Sequence, residues 1–180
     1  MTNNNNLLYQ LNSICILIVS GILLGALYFQ FGLHEDPCPL CLLQRMGMMG
    51  VIIALCLNIH FGIRKEHFGV AILASLVGSV YSVRQILLHI CPGPGESGGY
   101  GTAVFNMHLY TWALVVFLCS IIGCVLFIFY IKDEDKNLQR APLKIEKFTF
   151  ALVALITLVN VVATLFECQL GPCCENGPCP

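Results

Sequence analysis

The sequence predicts an all-α integral membrane protein with five membrane-spanning helices. Of its 180 residues, 57% are hydrophobic and only 11% are charged, whereas a soluble domain carries about 25% charged residues. Five apolar runs are separated by short polar or charged segments, and each is close to the roughly 20 residues that a spanning helix needs. The net charge of −1 gives no reason to expect a nucleic-acid partner.

The first apolar run, 11–31, follows a polar start that contains no Lys or Arg, and no small-residue cleavage site comes after it. It is therefore predicted to be a retained helix and not a signal peptide. The other spans are predicted at about 42–61, 68–90, 107–131 and 148–166. Residues 1–131 would then form a four-helix membrane domain, 132–147 a basic loop, 148–166 a fifth span and 167–180 a cysteine-rich tail.

The basic residues predict the orientation in the membrane. Arg64 and Lys65 lie in one loop, and a second loop carries five more of the nine Lys and Arg residues, namely Lys132, Lys136, Arg140, Lys144 and Lys147. With five spans these loops share a side, which the positive-inside rule makes cytoplasmic. The opposite side receives the segment with Cys38 and Cys41, a Gly- and Pro-rich loop with Cys91, and the tail. Disulfides form and persist on that side.

The motif Cys38-Pro39-Leu40-Cys41 is the strongest chemical signal in the chain. Two thiols at this spacing can cycle between dithiol and disulfide. Pro39 suits the first turn of a helix, and the N–H groups at a helix start stabilise a thiolate. Cys38 is expected nearer the aqueous side, where it would meet a protein partner. A static disulfide and a pair of metal ligands are the alternatives.

Two arginines fall inside predicted spans, where a charge is costly and suggests a function. Arg45 follows Cys41 by four residues and should share its helix face, where it favours a thiolate or a reduced anionic acceptor. Arg84 lies in the outer half of the third span. For both arginines the alternative is a side chain that extends to the lipid headgroups.

Other candidate groups have simpler interpretations. His89 and His108 lie near the outer interface and could manage protons or polarise an acceptor, or they could be ordinary interfacial residues. Glu96 and Glu167 are expected to be solvated. The cysteines inside spans are expected to be small packing residues; they are Cys15, Cys56, Cys119 and Cys124.

Three stretches carry a family resemblance: Pro37–Arg45, Tyr81–His89 and His108–Trp112. Together they resemble the disulfide bond formation protein B (DsbB) family over about residues 11–131. The resemblance implies a four-helix bundle in the bacterial inner membrane that passes electrons from a periplasmic DsbA-like thiol oxidase to a quinone, either ubiquinone or menaquinone. It also implies that Cys41 contacts the quinone, that Arg45 lies beside its ring, and that Cys38 exchanges with a second cysteine pair.

The chain departs from the family pattern in two ways. Its second outer loop holds a single cysteine, Cys91, where the family usually has two, and it adds a fifth span with a cysteine tail. Cys91 could pair with a tail cysteine and so complete the second redox pair, or Cys38 and Cys41 could act on substrates directly. The possible partners are Cys168, Cys173, Cys174 and Cys179.

The sequence thus leaves three functions open. The leading one is a quinone-dependent protein-disulfide oxidoreductase with Cys38, Cys41 and Cys91 as catalytic residues, Cys41 and Arg45 at the quinone, and no metal. The second is a metal-handling membrane protein that binds a soft metal through its outer cysteines. The third is a structural membrane protein with inert disulfides, which leaves Arg45 unexplained.

Overall fold

The computed structural model describes residues 2–90, 101–131, 144–168, 173–174 and 177–178, and only the backbone of 2–5, 173–174 and 177–178. Within these residues it contains five helices and two short antiparallel hairpins. The helices are α1 Thr2–Gly32, α2 Pro39–Phe61, α3 Lys65–His89, α4 Leu109–Tyr130 and α5 Lys144–Cys168. The strands are β1 Ala103–Val104, β2 Met107–His108, β3 Cys173–Cys174 and β4 Gly177–Pro178.

All five helices are long and apolar enough to cross a membrane, so the predicted all-α membrane fold is confirmed. Many of their large apolar side chains point outward, for example Leu73 at 63% and Leu126 at 63% exposure. Such a surface suits lipid rather than water as its surroundings. The core is built by the inward faces of the same helices.

Several helix ends differ from the predicted spans: α2 begins at Pro39 instead of about 42, and α3 at Lys65 instead of about 68. The polar start belongs to α1, which begins at Thr2. The last helix begins at Lys144 and ends at Cys168, so residues assigned to the basic loop and to the tail are helical. The loop predicted over 91–106 lies outside the described residues up to residue 100, and after that it contains the β1–β2 hairpin.

A two-residue turn explains why that loop can pair with itself. Phe105 and Asn106 have φ angles of 52° and 61°, and two left-handed residues in succession form the turn that matches the twist of a hairpin. The sequence predicted that this loop contains neither helix nor strand. That prediction was wrong for the last residues of the loop, where the hairpin lies. The hairpin leads directly into α4.

The helix α2 is central, because it contacts each of the other four helices. It approaches α3 closely at Gly47 and Gly78, where a Cβ added to Gly47 would lie 3.0 Å from the Gly78 backbone. The ring of Phe117 from α4 fills the space beside both glycines and is completely buried. Small residues at helix contacts are typical of membrane bundles, whose helices associate through close packing.

Two ends of the bundle can be distinguished by their polar groups. At one end Asn58 is fully buried, and its amide nitrogen donates to Asn12 Oδ1 at 3.2 Å. Its oxygen accepts from the Arg64 backbone N–H at 3.2 Å, and His67 Nδ1 lies 3.0 Å from it. These bonds join α1, α2 and the start of α3. The other end, where α1 ends and α2 begins, carries Cys38 and is called the thiol end below.

Candidate functional site

The turn between α1 and α2 places the cysteine motif at the end of the bundle. The helix α1 ends at Gly32, and His34 adopts a left-handed φ of 56°. The backbone N–H groups of Leu33 and Glu35 donate to the Tyr28 and Phe29 carbonyls at 3.3 and 3.2 Å. A left-handed residue just after a helix commonly allows the following backbone N–H groups to donate to the last carbonyls of the helix in this way.

Cys38 is the N-cap of α2, and Pro39 is the first helical residue, as predicted. The Cys41 backbone N–H donates to Cys38 Sγ at 3.1 Å, so the first sulfur accepts one of the N–H groups exposed at the helix start. The two thiols are free, and their sulfurs lie 2.6 Å apart. Since a disulfide bond measures about 2.05 Å, only a small movement separates the dithiol from the disulfide.

The two sulfurs differ in their surroundings. Cys38 lies at the end of α2 but is only 6% exposed, because its neighbours cover it. The pKa of Cys38 is raised, first because its thiol hydrogen-bonds to the Cys41 sulfur and then because it is buried. Cys41 is half-buried and lines a cavity.

Two glutamines that were not among the predicted site residues lie beside the thiol pair. Gln85 of α3 donates from Nε2 to Cys38 Sγ at 3.1 Å and to Cys41 Sγ at 3.4 Å. Its Oε1 accepts from Gln44 Nε2 at 2.7 Å, and both glutamines are buried. An amide inside an apolar span is costly unless it is hydrogen-bonded. Their presence in predicted spans was therefore the signal that could have identified them.

Arg45 lies on the same side of α2 as Cys41, and both line the cavity, as the four-residue spacing predicted. Its guanidinium donates from Nη1 to Gln30 Oε1 and from Nη2 to the Ala26 carbonyl at 3.0 Å. Gln30 in turn donates from Nε2 to Glu167 Oε1 at 2.8 Å. The expectation that Glu167 is merely solvated was therefore wrong, because it terminates a chain of contacts from α2 through α1 to α5.

The cavity beside these groups has a volume of about 170 Å³. Its walls come from α1, the turn before α2, α2 itself and α4, which contributes Leu109, Tyr110, Trp112 and Ala113. The polar groups that line it include Gln30, Gln44 and Arg45, with Glu35 and Asp36 from the turn. The remaining walls are mainly apolar.

The two candidate histidines both stack on one residue of the cavity wall. His89 and His108 each stack on the ring of Tyr110, with ring centroids 5.4 and 5.3 Å apart. Neither histidine lines the cavity in the part of the chain that is described, whereas Tyr110 does. Their contribution to the site is therefore to fix this tyrosine.

Several other candidates lie away from the pair. Arg84 is exposed on the outer face of α3, one residue before the inward-facing Gln85, as a residue that extends toward headgroups would be. Cys56 and Cys124 belong to the buried core, Cys15 packs against it, and Cys119 is exposed on α4. Among the described side chains, no group of three His, Cys, Asp or Glu residues could hold a metal ion.

Most candidates for a second cysteine pair lie outside the described side chains. Cys91 lies outside the described residues, as do Cys179 and the side chains of Cys173 and Cys174. Cys168, in the last turn of α5, is disulfide-bonded. Because Glu167 bonds to Gln30 near the end of α1, this disulfide lies at the thiol end of the bundle.

Comparison with known proteins gives a consistent result. A family model described as "Disulfide bond formation protein DsbB" matches residues 9–163. The disulfide bond formation protein B of Chromobacterium violaceum is 39% identical over 87 residues, covering 42% of this chain and 52% of that protein. That of Saccharophagus degradans is 40% identical over 77 residues, covering 40% and 46%. For that of Burkholderia ambifaria the identity is 33% over 104 residues, covering 57% and 58%.

These alignments span about half the length of the curated relatives. No solved structure matches the chain significantly. The family model, however, covers most of the sequence, including α2 with its thiol pair, α3, α4 and most of α5. The match therefore extends beyond the resemblance over about residues 11–131. The chain is therefore a multi-pass helical membrane protein that belongs to the DsbB family of disulfide bond formation proteins.

Proposed function

We propose that the protein is a membrane thiol:quinone oxidoreductase that reoxidises a periplasmic DsbA-like dithiol protein and so supports protein disulfide bond formation. One observation carries the proposal: Cys41 belongs to the close thiol pair and also lines the cavity that contains Arg45. A thiol pair that adjoins a cavity at a membrane-spanning helix can exchange with a protein on one side and with a lipid-soluble acceptor on the other.

The cavity fits the ring of a quinone in size and in chemistry. Its volume of about 170 Å³ is slightly larger than the roughly 150 Å³ of a protein cavity that accommodates benzene. Binding sites for such molecules are mostly apolar with a few placed polar groups. Here Arg45 and Gln44 are those groups, and Trp112 and Met48 contribute to the walls.

Each residue of the site has a role in this proposal. When bound, a ubiquinone or menaquinone supplies an acceptor for two electrons and two protons. Arg45, fixed by Gln30 and the Ala26 carbonyl, orients the ring through its charge and stabilises negative charge in the cavity. Asp36, in the turn before α2, also lines the cavity.

The thiol exchange is a two-electron reaction. The partner protein loses two electrons and two protons as its two sulfurs form a disulfide. The Cys38–Cys41 S–S bond breaks as it takes up the two electrons, while one proton goes to Cys38 and the other to water. Attack at Cys38 leaves Cys41 as the leaving sulfur, on the cavity side. Because Cys38 is buried, an exposed second pair can deliver the electrons to it.

Cys91 and a tail cysteine are the proposed second pair. The helix α5 ends at the thiol end with Cys168, next to Glu167, which accepts from Gln30. Cys168 and the three cysteines that follow it in sequence are the possible partners of Cys91. This arrangement supports an orientation in the bacterial inner membrane with the thiol end on the periplasmic side.

The substitution Cys41→Ser tests the proposed function. We expect quinone reduction by a reduced DsbA-like protein to fall by at least about 100-fold, because the pair can no longer form a disulfide, while the helical content is retained. Cys119→Ser, on the exposed face of α4, is the matched control and should leave turnover unchanged. Turnover by Cys41→Ser equal to that of the wild type, with either quinone, would refute the function.

A further inference from the structure

The side chain of Gln85 contacts both reacting sulfurs from a different helix. Its Nε2 lies 3.1 Å from Cys38 Sγ and 3.4 Å from Cys41 Sγ, although it is 47 and 44 residues away in the sequence. Only 1% of Gln85 is exposed. A single amide nitrogen with two hydrogens can donate to two sulfurs at once.

A second amide fixes the direction in which Gln85 donates. Gln44 Nε2 donates to Gln85 Oε1 at 2.7 Å, so the amide oxygen is turned toward Gln44 and the nitrogen toward the thiols. Gln44 is also buried, at 4% exposure. A flipped Gln85 amide would set its N–H groups against those of Gln44 and would remove the side-chain donor from both sulfurs. The donating orientation of Gln85 therefore depends on the amide of Gln44.

An N–H donor interacts more strongly with a charged sulfur than with a neutral one. The disulfide form of the pair carries no charge. When a dithiol reduces it, the dithiol loses two electrons and two protons and forms its own disulfide. The Cys38–Cys41 bond breaks, one proton goes to Cys38 and the other to water. The negative charge then lies on Cys41, in the first turn of α2 and at the same cavity as Arg45. Gln85 thus stabilises the reduced pair more than the oxidised pair.

We propose that Gln85 is a catalytic residue of the thiol pair, which donates hydrogen bonds to both sulfurs and makes the Cys38–Cys41 disulfide a stronger oxidant. The inference deepens the proposed function and rests on it only for the direction of electron flow. Gln44 is the positioning residue that keeps the Gln85 amide in its donating orientation.

The redox equilibrium of the pair in Gln85→Leu tests this proposal. The full-length protein in detergent is equilibrated with mixtures of reduced and oxidised dithiothreitol, quenched in acid, and alkylated before and after reduction. Mass spectrometry of the peptide that contains Cys38 and Cys41 reads this pair apart from the other cysteines. We expect the equilibrium constant for reduction to fall about tenfold, equivalent to about 30 mV, and Cys41 to be alkylated more slowly at pH 7.

Three variants separate this role from simple packing. Gln44→Leu should shift the equilibrium in the same direction but less, by about threefold, because the donor remains and only its orientation is released. Ser82→Ala removes a buried hydroxyl of α3 that bonds to the Gly78 carbonyl and should leave the equilibrium unchanged. Gln85→Met fills a similar volume and is measured in parallel, so that poor folding of one variant does not prevent the test.

An unchanged equilibrium in a folded Gln85→Leu or Gln85→Met protein would overturn the proposal. A shift of equal size in Ser82→Ala would also overturn it, because the effect would then be general packing. The measurement contains no quinone. If the wild type fails to reduce any quinone while Gln85→Leu still shifts the equilibrium, the proposed function fails and this inference stands.

Discussion

Arg45 illustrates how one side chain in this membrane helix is held in position. Its two terminal nitrogens donate to different acceptors on α1, Gln30 Oε1 and the Ala26 carbonyl. A planar guanidinium can make both bonds at fixed geometry, whereas a lysine ammonium is a point charge on a flexible chain. The charge beside the cavity is therefore preorganised, which is the condition for electrostatic stabilisation without reorganisation.

The substitution Arg45→Lys retains the charge and removes the two-point fixation. We expect the KM for quinone to rise about tenfold, equivalent to about 1.4 kcal/mol of binding free energy, with a smaller change in kcat. Steady-state turnover with varied quinone measures both. Arg84→Lys, on the exposed face of α3, is the control, and an equal effect of the two substitutions would contradict the assigned role.

At the scale of elements, the fifth helix is joined to the site by its last turn. The carboxylate of Glu167 accepts from Gln30, whose other amide atom accepts from Arg45. The fifth helix thus restrains the Gln30 side chain that contacts the arginine. A hydrogen bond between membrane helices contributes about 0.6 kcal/mol on average and up to about 1.7 kcal/mol.

We therefore expect Glu167→Ala to lower the free energy of unfolding by about 1 kcal/mol, and to raise the KM for quinone about threefold because Gln30 and Arg45 lose a restraint. Thermal unfolding in detergent and quinone titration measure the two effects. Glu66→Ala removes an exposed carboxylate from the first turn of α3 and serves as the control. Wild-type stability and KM in Glu167→Ala would show that the contact has no such role.

Close approach of the helices α2, α3 and α4 depends on a glycine. A Cβ added to Gly78 would lie 2.1 Å from Cζ of the buried Phe117 ring, which is far inside van der Waals contact. Nothing lies within 4 Å of a Cβ added to Gly69 in the same helix. The packing against Phe117 thus requires a glycine at Gly78, whereas the position of Gly69 has room for a side chain.

Gly78→Ala should destabilise the protein by about 1–3 kcal/mol through overpacking. Gly69→Ala should be neutral or slightly stabilising, since alanine favours a helix. Thermal unfolding of both variants in one detergent gives the comparison. Equal melting temperatures would mean that the bundle relaxes around the ring, and the close packing would then be unimportant for stability.

At the scale of the whole molecule, the thiol end combines the pair, the cavity and the end of α5. Cys168 is disulfide-bonded at this end. The helices that surround the site expose apolar side chains outward, so a lipid-soluble acceptor can approach from the membrane. A protein partner has to approach from the end of the bundle, where the tail emerges.

We expect non-reduced peptide mapping to find a disulfide between Cys91 and one of the tail cysteines in at least one redox state of the protein. The physical reason is that an exposed second pair is needed to deliver electrons to the buried Cys38. The protein is trapped in acid, alkylated and digested without reductant. Absence of any link between Cys91 and the tail under oxidising and reducing conditions would contradict the second pair.

The sequence by itself determined the membrane class, the five spans and the position of Cys38 and Cys41 at the start of α2. It also determined that Arg45 shares a face with Cys41. These features depend on local hydrophobicity, on the fixed backbone angle of Pro39 and on the helical repeat, all of which can be read within a window of about 20 residues.

Only the tertiary structure decided what surrounds the pair. Gln85 reaches the sulfurs from 44 and 47 residues away, and Glu167 reaches Gln30 from 137 residues away. Such contacts depend on how each helix is rotated and shifted against its neighbours, which the apolar pattern of a span leaves open. The same packing buries Cys38, makes α4 a wall of the cavity and joins the fifth helix to the arginine.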